Sequence, residues 1–267
     1  MIYVEVLRAI YGMLHSALLF YKMFRADLEK EGFKFNPYDP CVANKMIKGK
    51  QLTIVFHVDD VKVSSVRKTS VDDFIQWIDL RYGQKDKPIT VSRGKKHDYL
   101  AMVLDYTEEG VATIDMCYYV EQMIEDFPIK LNQSDTALTP ATDKLFHVDK
   151  SKVLDKTRGE QFHTFVAKSL FISKRARPDI QPTVAVLCTR VKESNESDWN
   201  KLIRLMKYLN GTRNYKLRLQ VENLSYVKYF VDAAFTVQNA FKSHTGGVMT
   251  MGRGAIASIS RKQKNEY

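Results

Sequence analysis

The stretch that most constrains this chain runs from Leu52 to Val63, reading Leu-Thr-Ile-Val-Phe-His-Val-Asp-Asp-Val-Lys-Val. A largely apolar run enters two adjacent carboxylates and an apolar-polar-apolar run leaves them, the pattern of two β-strands joined by a tight acidic turn. Asp59 and Asp60 therefore fall at a hairpin tip. Neighbouring carboxylates repel, and a divalent cation held between them removes that cost. Magnesium suits such a place because it takes one or two carboxylates and shares the phosphates of a substrate. An Asp-Asp pair is equally an ordinary solvated turn, since Asp tolerates turn geometry and bonds its own backbone. The pair alone leaves both readings open.

Its surroundings predict an α+β layer. Leu14, Ala17, Leu18, Tyr21 and Leu28 recur at helical spacing, with Gly32 set to end the helix. Cys41 to Ile47 reads as a strand and Lys48-Gly49-Lys50 as the turn into the Leu52 strand. Beyond the acidic turn, Ser70 is the expected cap of a helix with Val71, Phe74, Ile75, Ile78 and Tyr82 on one face. Tyr99 to Asp105 and Val111 to Met116 predict a second hairpin across Glu108-Glu109-Gly110, followed by a helix through Tyr119, Val120, Met123, Ile124 and Phe127.

From Asn132 to Lys156 the apolar pattern thins and Ser, Thr, Asp and Lys dominate, marking a surface connector. Three helices are expected next: one through Phe162, Phe165, Val166 and Ser169, one from Asp179 to Val191, and one capped by Ser197 with Trp199, Leu202, Ile203, Met206 and Leu209 as its buried stripe. On the last, Lys201, Arg204 and Lys207 lie away from that stripe, either as a ridge gripping a phosphate backbone or as a solvated face. Strands resume at Leu217 to Val221, Tyr226 to Val231, Gly247 to Met251 and Ala255 to Ser260, with Asp232 directly after the second.

Hydrophobic residues at 45% and charged residues at 27% predict a packed core. The formal net charge of +10 favours a polyanionic partner, through counterion release at each phosphate neutralised. Cys41, Cys117 and Cys188 lie far apart, which excludes a disulfide framework and fits a reducing intracellular setting. None of His15, His57, His97, His147, His163 and His244 has zinc-ligand spacing. No apolar run approaches the ~20 residues needed to cross a bilayer, and no signal pattern opens the chain, so no membrane partner is expected.

Several blocks together resemble the polymerase of copia-type LTR retrotransposons. His57-Val58-Asp59-Asp60 is similar to the Tyr-Val-Asp-Asp signature of reverse transcriptases, with His57 in place of Tyr. Ile10-Tyr11-Gly12-Met13 resembles that family's Leu-Tyr-Gly-Leu segment, and Gly32-Phe33-Lys34 through Asp39-Pro40-Cys41 its link into the hairpin. Ala176-Arg177-Pro178-Asp179-Ile180 and Lys207-Tyr208-Leu209-Asn210-Gly211-Thr212 resemble its Arg-Pro-Asp-Ile and Tyr-Leu-Lys-Gly-Thr blocks. Lys242-Ser243-His244-Thr245-Gly246-Gly247 after Asp232 looks like the opening of the ribonuclease H domain that follows.

The resemblance implies a partial reverse-transcriptase palm over 1–130, a linker and helical thumb or connection over 131–215, and the first part of a ribonuclease H-like domain over 216–267. It makes Asp59 the main metal ligand, Asp60 a second, and Asp232 the first ligand of the ribonuclease H site, with magnesium or manganese as the cofactor. Gly12 would approach the nascent base pair, His57 would lie against the primer end, and Lys201, Arg204 and Lys207 would hold primer-template. Where Ala101 stands the family usually has Gly. The implied partners are an RNA template, a DNA primer, deoxynucleotides and the remainder of a polyprotein; oligomeric state is left open.

In the family a further catalytic Asp lies upstream of the Tyr-Gly segment, whereas Glu5 is the sole acid before Tyr11 here. Ribonuclease H acids beyond the first strands are not matched by Glu266. The expectation is a polyprotein fragment that is incomplete as a catalyst alone. The alternative is a nucleic-acid-binding remnant without metal chemistry.

Overall fold

The computed structural model describes residues 13, 15–84, 86–238 and 242–263, which form a mixed α+β structure with antiparallel sheets. Two units part between Ser92 and Arg93.

In the first unit, α1 (Ser16–Lys30) closes at Gly32, whose φ of +82° suits a residue without Cβ. The Phe33 N–H donates to the Leu28 carbonyl and the Gly32 N–H to the Glu29 carbonyl, a Schellman closure with Leu28 and Phe33 both in the core. β1 (Lys34–Phe35), β2 (Val42–Ile47), β3 (Lys50–His57) and β4 (Asp60–Ser65) then form an antiparallel sheet in that order. Alternation puts Leu52, Ile54 and Phe56 of β3 on the face buried with Phe24 and Leu28 of α1. Phe74, from α2 (Lys68–Tyr82), joins the same cluster. Each such side chain contributes about 1.5–3 kcal/mol on burial. The Phe24 and Phe56 rings meet edge to face at 5.0 Å.

α2 corrects one expectation. It begins at Lys68 with Arg67 as its N-cap, so Ser70 lies inside the first turn and is buried rather than capping. Ser70 and Phe74 are one turn apart, so the helix register that buries Phe74 carries Ser70 inward too. The two helices are tied by Asp27, which accepts from Arg81 Nε at 3.0 Å, Arg81 Nη2 at 3.1 Å and the Tyr82 hydroxyl at 2.8 Å.

The second unit opens with β5 (Lys96–Tyr99), β6 (Met102–Asp105) and β7 (Val111–Asp115). The single strand expected over Tyr99 to Asp105 is instead a hairpin, bent at Leu100 and Ala101 with φ of +51° and +62°. Four helices follow: α3 (Cys117–Glu125), α4 (Lys156–Ser173), α5 (Gln181–Cys188) and α6 (Glu196–Gly211). Their core gathers Phe127, Phe162, Phe165, Leu187, Trp199 and Leu202. The expected helix from Asp179 starts as a 3-10 turn over Pro178–Ile180 before α5. Asn195, rather than Ser197, caps α6: its side chain accepts from the Asp198 N–H while the Asp198 carboxylate accepts from the Asn195 N–H.

β8 (Leu217–Val221) adds antiparallel to β7, with Ala112 opposite Leu219, and β11 (Gly252–Arg253) adds to β8, giving a sheet of order β11-β8-β7-β6-β5. Residues 217–221 thus complete a sheet begun about a hundred residues earlier. A second sheet has the order β12-β10-β9, from β9 (Lys228–Gln238), β10 (Lys242–Thr250) and β12 (Ala257–Lys262). Among the described residues no helix is long and apolar enough to cross a membrane.

Candidate functional site

β3 ends at His57 and β4 starts at Asp60, the two residues facing each other across the ladder, so Val58 and Asp59 form a two-residue turn. Val58 has φ +54°, in the left-handed region that a β-branched side chain avoids. Turns with a positive φ at the first central position usually carry Gly there, and holding another residue so stores roughly 1–3 kcal/mol. That strain sits beside the two carboxylates. Asp59 and Asp60 are both exposed. By alternation His57 and Asp60 lie on the sheet face opposite Leu52, Ile54 and Phe56, together with Val55 and Lys62. The same face carries a polar cluster in which Gln51 Nε2 and the Thr53 hydroxyl both donate to Asn44 Oδ1, at 2.9 and 2.7 Å.

Gly12, Glu5, Tyr11 and Glu266 lie outside the described residues. Among the described residues no group of three or more His, Cys, Asp or Glu converges, so the donors at the tip are Asp59 and Asp60. Two solvent-facing carboxylates on adjacent residues fit a magnesium ion that completes its shell with water and substrate phosphate.

Asp232 corrects its expected position: it lies within β9 rather than after a strand, exposed and opposite Gly246 of β10. Its Oδ1 accepts from the Ala233 N–H at 2.9 Å. Glycine opposite leaves no cross-strand side chain over the carboxylate. His244, on the same face, is buried against the Phe146 ring and bonds Ser260 Oγ at 2.7 Å, and burial lowers its pKa.

The basic side chains of α6 are neither bare nor merely solvated. Residues 131–155 run along them: Lys201 Nζ donates to the His147 carbonyl, Arg204 Nη2 to Thr139 Oγ1 at 2.9 Å, and Lys207 Nζ to Asp135 Oδ1 at 3.3 Å. Burial lowers the Lys201 pKa. The Asn210 amide holds the strap's start by donating to the carbonyls of Asn132 and Asp135.

Sequence reading missed what joins the two downstream blocks. Arg177 is 1% exposed; its guanidinium donates to both Asp179 oxygens, to the Thr212 carbonyl at 3.1 Å and to Thr212 Oγ1 at 2.7 Å. The Tyr208 hydroxyl completes the set by donating to Asp179 Oδ2 at 2.8 Å. Each of these residues was visible in a motif. Their meeting was not, because nothing local in the sequence marks a contact across 35 residues.

Fold and site together define an α+β protein with antiparallel sheets and an exposed dicarboxylate at a strained hairpin tip. Proteins named from transposons are among its relatives. The chain is 23% identical over 261 residues to a transposon Ty5-1 protein of Saccharomyces cerevisiae, spanning 97% of this chain and 81% of that one. It is 23% identical to the retrovirus-related Pol polyprotein from transposon RE1 of Arabidopsis thaliana, over 96% of this chain and 17% of the polyprotein. It is also 23% identical to the retrovirus-related Pol polyprotein from transposon TNT 1-94 of Nicotiana tabacum, over 96% of this chain and 19% of the polyprotein. No protein-family model matches the chain, and no solved structure matches it. Its homologues are thus retrotransposon Pol polyproteins, which bears out the resemblance to a copia-type element.

Proposed function

We propose that the chain is the reverse-transcriptase region of a copia-type retrotransposon Pol polyprotein, entering a ribonuclease H-like domain at β9. The observation that carries this reading is the tip itself, where a strained Val58 turn presents Asp59 and Asp60 to solvent at the end of a helix-backed sheet. In this reading the sheet of β1 to β4 is palm, α4 to α6 are thumb or connection, and Asp232 is the first ribonuclease H ligand. Magnesium, bound by Asp59 with Asp60 as a shared second ligand, would activate a primer hydroxyl and neutralise a departing pyrophosphate. The chain's own part is positional: the β3–β4 ladder fixes the carboxylates, and the exposed sheet face around His57 and Asp60 leaves room for a primer end and a nucleotide.

Primer extension on an RNA template with magnesium, by the polyprotein region that contains this chain, tests the proposal. Asp59→Asn is expected to lower the rate by about 100-fold or more, equivalent to about 3 kcal/mol of lost transition-state stabilisation. Extension at an undiminished rate would overturn it. The second reading, nucleic-acid binding without chemistry, is favoured by the +10 charge alone. Metal-independent, salt-sensitive binding to an RNA–DNA hybrid with no nucleotide incorporation would select that one.

A further inference from the structure

β9 closes one side of the sheet of order β12-β10-β9, so among the described residues its outer edge has no neighbouring strand. It is 11 residues long and carries no proline to blunt that edge. Its side chains are uncovered on both faces: Tyr229 is 56% exposed, Phe230 62%, Val231 61% and Phe235 78%. Tyr226, just before the strand, is exposed as well. Rings of this size left in water along an open edge mark a surface that another strand covers. β12, the opposite edge, is only 6 residues long and ends in Arg261-Lys262, which protects it from the same pairing.

We propose that β9 pairs with β9 of a second copy of this chain, antiparallel, about a two-fold axis at Phe230 normal to the sheet. The charged residues of the strand are Lys228 and Asp232, and alternation puts both on the face of Phe230. Of the registers such an axis allows, the one centred on Phe230 sets Lys228 of each copy opposite Asp232 of the other. It also sets Phe230 opposite Phe230 and, on the other face, Tyr229 opposite Val231, which are aromatic and aromatic–β-branched pairs of the kind that stabilise antiparallel strands. A second copy is therefore the occupant that the strand itself specifies. Lys228 is available, because its contact with Glu222 at 3.3 Å is an exposed ion pair that contributes little. Asp232 gives Oδ1 to the Ala233 N–H, and Gly246 opposite it on β10 leaves the carboxylate uncovered. Covering about half of the Tyr226, Tyr229, Phe230 and Phe235 rings in both copies buries on the order of 800 Å2 before valines and backbone are counted, close to the ~1,000 Å2 of a specific interface. Pairing uses up the edge in both copies, so the association closes at a dimer. It depends on neither the dicarboxylate tip nor the polymerase reading. In the dimer Asp232 faces Lys228 of the second copy, so dimer and a cation on Asp232 are alternative states.

The test is sedimentation velocity of the full chain in EDTA, from micromolar to submillimolar concentration. The chain is expected to pass from monomer to dimer and no further. Lys228→Glu and Asp232→Lys each set like charges opposite one another at two symmetry-related places, so each is expected to raise the dimer dissociation constant about tenfold. Mixed in equal amounts, the two variants set unlike charges opposite at both places, and association is expected to return to the level of the unaltered chain. Phe230→Lys puts two ammonium groups at the axis and is expected to leave a monomer. All three positions are exposed, so the variants are expected to keep the fold of the monomer, checked by circular dichroism. Should one charge variant fail to fold, Phe230→Lys and the other decide. A chain that stays monomeric throughout overturns the proposal and makes a strand from a different protein, or from elsewhere in a polyprotein, the cover of β9. Undiminished dimer affinity in Phe230→Lys and in a charge variant places the contact elsewhere and overturns it too. A mixture that associates no better than either charge variant alone overturns the register.

Discussion

Among the described residues, Lys48, Val58, Leu100 and Ala101 are the non-glycine positions with left-handed backbone, and all four sit in two-residue hairpin turns. The conformation costs an L-residue about 1–2 kcal/mol, most for a β-branched one, while glycine adds about 0.5–1 kcal/mol of unfolded-state entropy. Val58→Gly and Ala101→Gly are therefore each expected to stabilise the protein by about 0.5–1 kcal/mol, read as a higher urea midpoint with unchanged slope. A fall in either midpoint would show that the strain is illusory. The φ of +62° at Ala101 is one that glycine adopts without a Cβ penalty. Arg177 is the opposite case, a buried charge whose three guanidinium nitrogens each meet an acceptor. Arg177→Met is expected to lose about 3 kcal/mol, since Asp179 and the Thr212 carbonyl lose their donors. Arg177→Lys is not expected to restore it, one ammonium being unable to reproduce the fork.

At the level of elements, α1 and α2 are joined by Asp27. The hydrogen bonds from Arg81 and then Tyr82 hold its carboxyl below the usual carboxylate range. The Tyr82 hydroxyl is pushed up in turn, chiefly by burial and then by its bond to Asp27. A carboxyl with a depressed folded-state pKa adds stability that is complete above its unfolded value, about 3.9, and is lost as pH falls through the folded value. Denaturant titrations from pH 7 downward should therefore show stability beginning to fall near pH 4 and continuing below it. Asp27→Asn should be less stable by about 1–3 kcal/mol at pH 7, with part of that acid slope removed. An identical acid slope in the variant would show that the Asp27 contacts do not carry it.

Over the whole molecule, much was legible because it is periodic. Asp59-Asp60 between two apolar runs marked a hairpin tip that the structure retains, and Leu28 is buried as its spacing predicted, whereas Ala17 and Leu18 of the same expected stripe are exposed and Phe24, outside that stripe, is in the core. Gly32 announced the end of α1 because a Schellman closure needs positive φ there. Leu100-Ala101 gave no such sign: neither residue favours a turn, so one strand was expected where two are found. The pairing of β8 with β7, the strap lying on Lys201, Arg204 and Lys207, and the Arg177 clamp were also invisible. Sequence by itself determined the period of each element, the faces that must be buried and the identity of the paired acids, because those depend on neighbours one to four residues away. Only the tertiary structure decided which strand completes which sheet and which acceptor each cation meets. Backbone groups and charged side chains bond whatever partner the folded chain brings to them, and Lys207 reaches Asp135 from 72 residues away without a local trace.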